Sequence, residues 1–186
     1  MSQPQASTHV LPCSGPGGIQ VRDALPGEFQ ALGELLVRVY SALEGFPKPE
    51  EQPRYYDMLR NIGQMTQKPC TRLLVAVAGG TLLGGVVYFS DMTQYGSGGT
   101  ATRETGASGF RLLGVDPAAR GKGAGRALME ACIAQAREDG NAQVIIHSTK
   151  AMAVAWRMYE ARGFQRSTDL DFMQEKLQVY GFRLKL

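Results

Sequence analysis

The sequence predicts an α/β domain of the α+β type: a mixed, mostly antiparallel sheet with helices on both faces. Three observations carry this. Thr71–Ala78 and Thr81–Phe89 are two apolar, β-branched runs joined at Gly79-Gly80, a strong hairpin signal. From residue 109 onward the pattern runs strand, helix, strand, helix, strand. Between the first strand and helix of that run lies LLGVDPAARGKGAGR, residues 112–126. There an apolar strand turns through a Gly-rich, doubly basic loop straight into an amphipathic helix.

Each element has its own warrant. Residues 19–22 (IQVR) read as a first strand. A helix follows, because Pro26 is tolerated in a first turn and the charge of Glu28 suits a helix start. Phe29, Leu32, Leu36, Val39 and Tyr40 then recur at helical spacing and make one apolar face. Gly45, Pro47, Pro49 and Pro53 interrupt the pattern, and a second helix is expected over residues 50–61, with Tyr55, Met58, Leu59 and Ile62 apolar. After the hairpin, residues 90–108 (SDMTQYGSGGTATRETGAS) form a long polar loop of a length associated with mobility or function. Residues 109–115 are a fourth strand. The helix after the Gly-rich loop sets Gly125, Leu128, Met129, Cys132, Ile133 and Ala136 on one side. Arg126, Glu130 and Arg137 lie on the other, and Asp139-Gly140-Asn141 ends it. Residues 143–147 (QVIIH) are short and apolar enough for a central strand. Ala151, Val154, Ala155, Met158 and Arg162 form a stripe on a fourth helix, stopped by Gly163. Residues 164–165 open a further strand and residues 179–186 alternate as the last. The total is about seven strands and about four helices, with no internal repeat.

Composition bounds the function. The 186 residues fit one domain, and 44% hydrophobic with 20% charged residues is an ordinary globular balance, which argues against a wholly disordered or fibrous chain. A net charge of +3 is too small to argue for nucleic acid, so no nucleic-acid partner is expected. Cys13, Cys70 and Cys132 are scattered and odd in number; no spacing suggests a metal site or a disulfide framework, and a reducing, cytoplasmic setting is expected. Residues 1–18 are polar and rich in Gly and Pro, without the apolar core of a signal peptide. They read as a disordered tail before a single domain at residues 19–186. No run is long enough to span a membrane, and no membrane partner is expected.

The Gly-rich stretch is an anion cradle in physical terms. Free N–H groups at a helix start point outward, and the helix dipole favours negative charge there. Glycine lets a ligand approach the backbone closely. Two rival phosphate motifs fail: no Gly-Lys-Ser/Thr follows for a P-loop, and the glycine spacing does not fit a dinucleotide fingerprint.

Two signatures in this chain resemble the GNAT superfamily of acyl-CoA-dependent N-acyltransferases. The first, Arg or Gln, two residues, Gly, one residue, Gly or Ala, stands here as Arg120-Gly121-Lys122-Gly123-Ala124-Gly125 after Val115-Asp116-Pro117. The second, a helix carrying Ala, Tyr and then Gly-Phe, stands as Ala155, Tyr159 and Gly163-Phe164. The order of elements matches the family from Ile19 to Leu186. The resemblance implies a GNAT-like sheet with a central splay, and acetyl-CoA as co-substrate with no metal. It implies that the N–H groups of Gly121, Lys122, Gly123, Ala124, Gly125 and Arg126 bind the pyrophosphate, with charge from Arg120 and Lys122. Main-chain groups at Leu113 and Val115 would pair with the pantetheine arm, with Gly114 easing close approach. The family often forms homodimers; the sequence leaves the assembly state open.

Acylation of an amine needs a neutral amine, against a lysine-like reference pKa of about 10.4. It also needs a polarised carbonyl and a proton for the departing thiolate. The resemblance assigns that proton to Tyr159 and the polarisation to a backbone N–H near Val115. A tyrosine packed in the core is the plainer reading of Tyr159. Many relatives carry a Glu on the strand before the loop; the corresponding position, near Gly109, has no carboxylate. Glu104, His147 and Glu44 are weaker candidates, and no base is assigned. Relatives often carry Asn where this chain has Met152, which removes a polar contact to the pantetheine arm. Trp156 reads as packing. Tyr40, Glu44, Phe46, Tyr55 and Tyr56 are candidates for the acceptor pocket, with a helix–helix contact as the alternative. The expected activity is acetyl transfer from acetyl-CoA to a primary amine of a small molecule, by direct attack in a ternary complex. The alternatives are a non-catalytic acyl-CoA sensor and a protein N-acetyltransferase. The acceptor and the length of the acyl chain are not specified by any motif.

Overall fold

A computed structural model describes residues 10–15 as backbone and residues 18–186 in full. In chain order the described residues form β1 (Val10–Gly15), β2 (Ile19–Asp23), α1 (Phe29–Ser41), α2 (Pro53–Arg60), β3 (Thr71–Ala78), β4 (Thr81–Phe89), β5 (Ala107–Val115), α3 (Ala124–Glu138), β6 (Gln143–Ser148), α4 (Ala153–Arg162), β7 (Gln165–Arg166), β8 (Phe172–Gln174) and β9 (Leu177–Lys185). The sheet order is β1-β2-β3-β4-β5-β6-β9-β7, with β8 paired on β9. Every pairing is antiparallel except β5 with β6. The mixed, mostly antiparallel architecture and the four helices agree with the sequence. Among the described residues no helix is long and apolar enough to cross a membrane.

Strand alternation builds two cores, one on each face. Leu74, Ala76, Val86, Tyr88, Val144 and Ile146 face α3 and meet Leu128, Met129, Cys132 and Ile133. Their neighbours Leu73, Val75, Val77, Val87, Phe89 and Ile145 face α1 and α2 and meet Leu32, Leu36, Tyr56 and Leu59. Leu32, Leu36, Leu59 and Leu128 are fully buried, each stabilising the fold by about 1.5–3 kcal/mol relative to exposure.

Four differences from the sequence reading have physical reasons. Val10–Gly15, inside the stretch expected to be a tail, pairs with β2 as an edge strand. Its Pro, Ser and Gly weaken the strand signal, yet an edge position tolerates Pro; residues 1–9, 16 and 17 lie outside the described residues. α2 begins at Pro53 rather than residue 50, because Pro sits at the first turn and Gln52 has a non-helical φ of −132°. Residues 90–108 are tied to the body: Thr100 Oγ1 donates to the Asp169 carbonyl at 2.8 Å, and Met92, Tyr95 and Ala101 are buried. On α4 only Tyr159 is buried, and Val154 of the expected stripe is 76% exposed.

One opening in the sheet positions the site. β5 pairs with β6 only at Ala107↔Gln143, Ser108↔Val144 and Gly109↔Ile145. Beyond Gly109 the two strands separate, and a wedge opens at the centre of the sheet. This is the splay that the resemblance implied.

Candidate active site

A cavity of about 560 Å³ fills the wedge. One end is walled by Arg120, Gly121, Gly123, Ala124, Gly125 and Arg126. Leu113, Gly114 and Val115 form one side, with Ser148 and Thr149 across from them. Tyr159 lies along it, and the far end holds Tyr40, Phe46, Tyr55, Arg111, His147 and Phe172. Nine of the ten expected ligand-site residues and Tyr159 thus share one cavity. Lys122 is the exception: it is exposed, does not line the cavity, and its N–H donates to the Ala119 carbonyl at 3.4 Å.

A bulge in β5 shapes the wall. Gly85 pairs with Gly114 and Val87 with Arg111, so Val86 alone faces Leu112 and Leu113. Leu112 takes the extra step with φ +58°, a left-handed conformation that is costly for a non-glycine residue. The bulge reverses the alternation. Phe110 belongs to the α3 core, whereas Leu112, two residues on, belongs to the α1 core. The Asp116 N–H is spent on the Leu83 carbonyl at 2.8 Å, so by alternation the main-chain groups of Val115 and Leu113 face the wedge. The Leu113 carbonyl already accepts from the Tyr40 hydroxyl at 3.2 Å. Gly114 serves helix packing, since a Cβ there would stand 2.6 Å from Leu36 Cδ2.

The cradle follows from local backbone. Gly121 and Gly123 have φ of +76° and +93°, which place the start of α3 directly after a left-handed step. Among the described residues, the N–H groups of Gly121, Gly123, Ala124, Gly125 and Arg126 have no partner, and Arg120 and Arg126 make no ion pair. Five unpaired donors, a helix start and two unpaired guanidiniums suit a dianionic group.

Tyr159 is 6% exposed, with its ring against Phe110 at 5.9 Å and Phe164 at 5.8 Å. Its hydroxyl has no hydrogen-bond partner among the described residues. Burial pushes its pKa well above the usual tyrosine value, so the proton stays on at neutral pH. The packed-core reading therefore describes the ring, while the hydroxyl stands available at the cavity. Ser148 and Thr149 add two buried hydroxyl oxygens without partners. Such groups are uncommon and costly in a core. Sequence reasoning passed over both because polar residues at a strand end look ordinary.

The candidates for a base fall away for stated reasons. Glu104 is held by Arg183 at 2.7 Å and lies outside the cavity. Glu44 is exposed and also outside it. His147 lines the cavity with both ring nitrogens occupied. Its Nε2–H donates to the Leu170 carbonyl at 2.9 Å, which leaves Nδ1 to accept from the Tyr95 hydroxyl at 3.2 Å. At Gly109 a Cβ would meet the Tyr95 ring at 2.7 Å and the Ile145 carbonyl oxygen at 2.9 Å, so no carboxylate-bearing side chain fits. Among the described residues no Asp or Glu lines the cavity. Of the acceptor-pocket candidates, Tyr40, Phe46 and Tyr55 line it. Tyr56 is buried elsewhere, donating to the Pro47 carbonyl at 2.7 Å. Met152 lines the cavity, and Trp156 packs on Phe182 at 4.8 Å as expected.

Burial lowers the His147 pKa to about 4 from an ordinary 6.5. Between those values the unfolded chain holds the proton and the folded chain does not. Stability therefore rises with pH across that window and is level above it. Urea unfolding should show a loss of about 2 kcal/mol from pH 7 to pH 5, and His147→Gln should lack this slope.

The acetyltransferase (GNAT) family model matches residues 31–164. Over 57 residues the chain is 46% identical to a mycothiol acetyltransferase of Thermobispora bispora, a match covering 31% of this chain and 19% of that protein. The chain spans about a fifth of the length of the curated relatives it matches. A GNAT-family acetyltransferase from Staphylococcus aureus Mu50 superposes with a TM-score of 0.69 at 15% identity, covering 90% of this chain and 99% of that one. The PaiA N-acetyltransferase of Thermoplasma acidophilum, in complex with coenzyme A, gives 0.67 at 15% identity, again over 90% and 99%. These structural likenesses speak for the fold. The family match spans most of the chain and includes both signatures, and with it the chain belongs to the GNAT family of acetyltransferases.

Proposed function

We propose that the protein transfers an acetyl group from acetyl-CoA to a primary amine of a small molecule, by direct attack within a ternary complex. One observation carries this reading: a single cavity runs from the unpaired cradle, along the open edge of β5, past the unpartnered Tyr159 hydroxyl, into an aromatic chamber. The N–H groups of Gly121, Gly123, Ala124, Gly125 and Arg126 hold the pyrophosphate, with charge from Arg120 and Arg126. Lys122, exposed beside the loop, adds only screened charge. Leu113 and Val115 pair with the amides of the pantetheine arm. Bound acetyl-CoA supplies the activated acetyl group as a thioester.

Tyr159 acts as the general acid, and the Val115 N–H polarises the carbonyl. The amine nitrogen bonds the carbonyl carbon and the C–S bond breaks. Tyr159 gives its proton to the departing sulfur and takes one back from solvent, while the nitrogen releases one proton to solvent. The products are the N-acetyl amine and the free thiol. With no carboxylate in the chamber, desolvation and the nearby Arg111 charge favour the neutral amine. Thiol release from acetyl-CoA across a panel of amines tests the reading. Amine-dependent release is expected; tight CoA binding with no turnover on any amine would count against it.

A further inference from the structure

The acceptor end of the cavity has an unusual charge pattern. Its walls are aromatic and aliphatic: Tyr40, Leu43, Phe46, Tyr55, Phe172 and Leu177. Into them projects one charged side chain, Arg111. Arg111 pairs with Val87 and alternates with Phe110, so it faces the α1 side rather than the α3 core, and the bulge brings Leu112 onto that same face beside it. Arg111 is half-buried and makes no ion pair among the described residues.

Its placement is fixed. Nη1 donates to the Tyr95 and Gly96 carbonyls, both at 2.7 Å, and the guanidinium lies 5.4 Å from the Tyr95 ring centre. Those two bonds use both Nη1 hydrogens. The Nε–H and both Nη2 hydrogens make no hydrogen bond among the described residues, which leaves a planar edge that matches a carboxylate. A half-buried cation without a counter-ion is costly, and an anionic ligand group offsets that cost. The field of Arg111 reaches the whole chamber: it acts against the upward pKa shifts of Tyr40, Tyr55 and Tyr95, and adds to the downward shift of His147. A second ammonium group on an acceptor would meet this charge with no carboxylate to balance it.

We infer that the acceptor is an amine that also carries a carboxylate, held on the free edge of Arg111, with an apolar or aromatic body against Tyr40, Phe46, Tyr55 and Phe172. The inference rests on the acetyl-transfer reading and narrows its substrate class to amino-acid-like acceptors. Polycationic amines are disfavoured.

Matched pairs test it. Phenylalanine against phenylalaninamide, and leucine against leucinamide, should differ in kcat/KM by about 10- to 100-fold in favour of the carboxylate. Arg111→Gln should abolish that preference, and Arg111→Lys should retain part of it. Turnover on any amine supports acetyl transfer by itself; the ratio within a pair decides the carboxylate contact. Binding reads the same contact without turnover. CoA-saturated protein titrated with N-acetylphenylalanine and N-acetylphenylalaninamide should favour the acid by a similar factor. That comparison uses the wild-type chain and does not depend on a variant folding. Equal kcat/KM within the pairs, equal binding of the two products, or preference for spermidine overturns the inference.

Discussion

Tyr159→Phe is expected to lower kcat by about 100-fold or more and to leave the affinity for CoA unchanged. The substitution removes one oxygen and keeps the ring, whose contacts with Phe110 and Phe164 hold α4 in place. That hydroxyl has no hydrogen-bond partner to lose among the described residues, so the folded state gives up nothing there. Only the transition state, with charge gathering on sulfur, loses a donor. Burial holds the hydroxyl proton through the neutral and mildly alkaline range, so the wild-type rate should show no fall from loss of this acid near pH 8. Steady-state kinetics beside a CoA titration check both halves. An unchanged kcat would return Tyr159 to the role of a packed ring.

Gly109→Ala is expected to destabilise the fold by about 3 kcal/mol or more, although Ala in place of Gly commonly helps a strand. The added methyl would stand 2.7 Å from the Tyr95 ring and 2.9 Å from the Ile145 carbonyl oxygen. Neither can yield. Tyr95 is fully buried, and its hydroxyl bonds His147 while its carbonyl bonds Arg111. The Ile145 carbonyl belongs to the last paired position before the splay. Gly27→Ala, where a Cβ meets nothing within 4 Å, should stay within about 0.5 kcal/mol of the parent. Urea midpoints of the two variants make the comparison. The same contacts leave no room for a carboxylate at this position: the space a side chain would take is filled by the Tyr95 ring, whose hydroxyl bonds His147.

How much of this could be read in the sequence varies by element. The hairpin β3–β4 and helix α3 stand almost residue for residue where alternation, Gly79-Gly80 and helical spacing put them. There local preference and burial agree. β1 is not legible because Pro12, Ser14 and Gly15 sit in a polar, Gly/Pro-rich stretch that reads as a disordered tail, and only pairing with β2 makes it a strand. The stripe on α4 misled because apolar spacing cannot tell a core from a cavity. Ala155 and Met158 pack on the α3 core and also line the site, and Val154 lines it while largely exposed. The cradle and Tyr159 were legible as motifs. The acceptor chamber was not, because it assembles from α1, α2, β5, β6 and β8, which are far apart in sequence. One signal was present: Arg111 is the single charge in β5; that β5 parts from β6 beyond Gly109 and opens a chamber beside it has no sequence mark.

The most direct test of the account varies acetyl-CoA and an amine acceptor together, measuring initial rates of thiol release and identifying the product by mass. One N-acetylated amine per thiol released is expected, with double-reciprocal lines that intersect, as for a ternary complex. Parallel lines, or thiol release without acetylated amine, would contradict it.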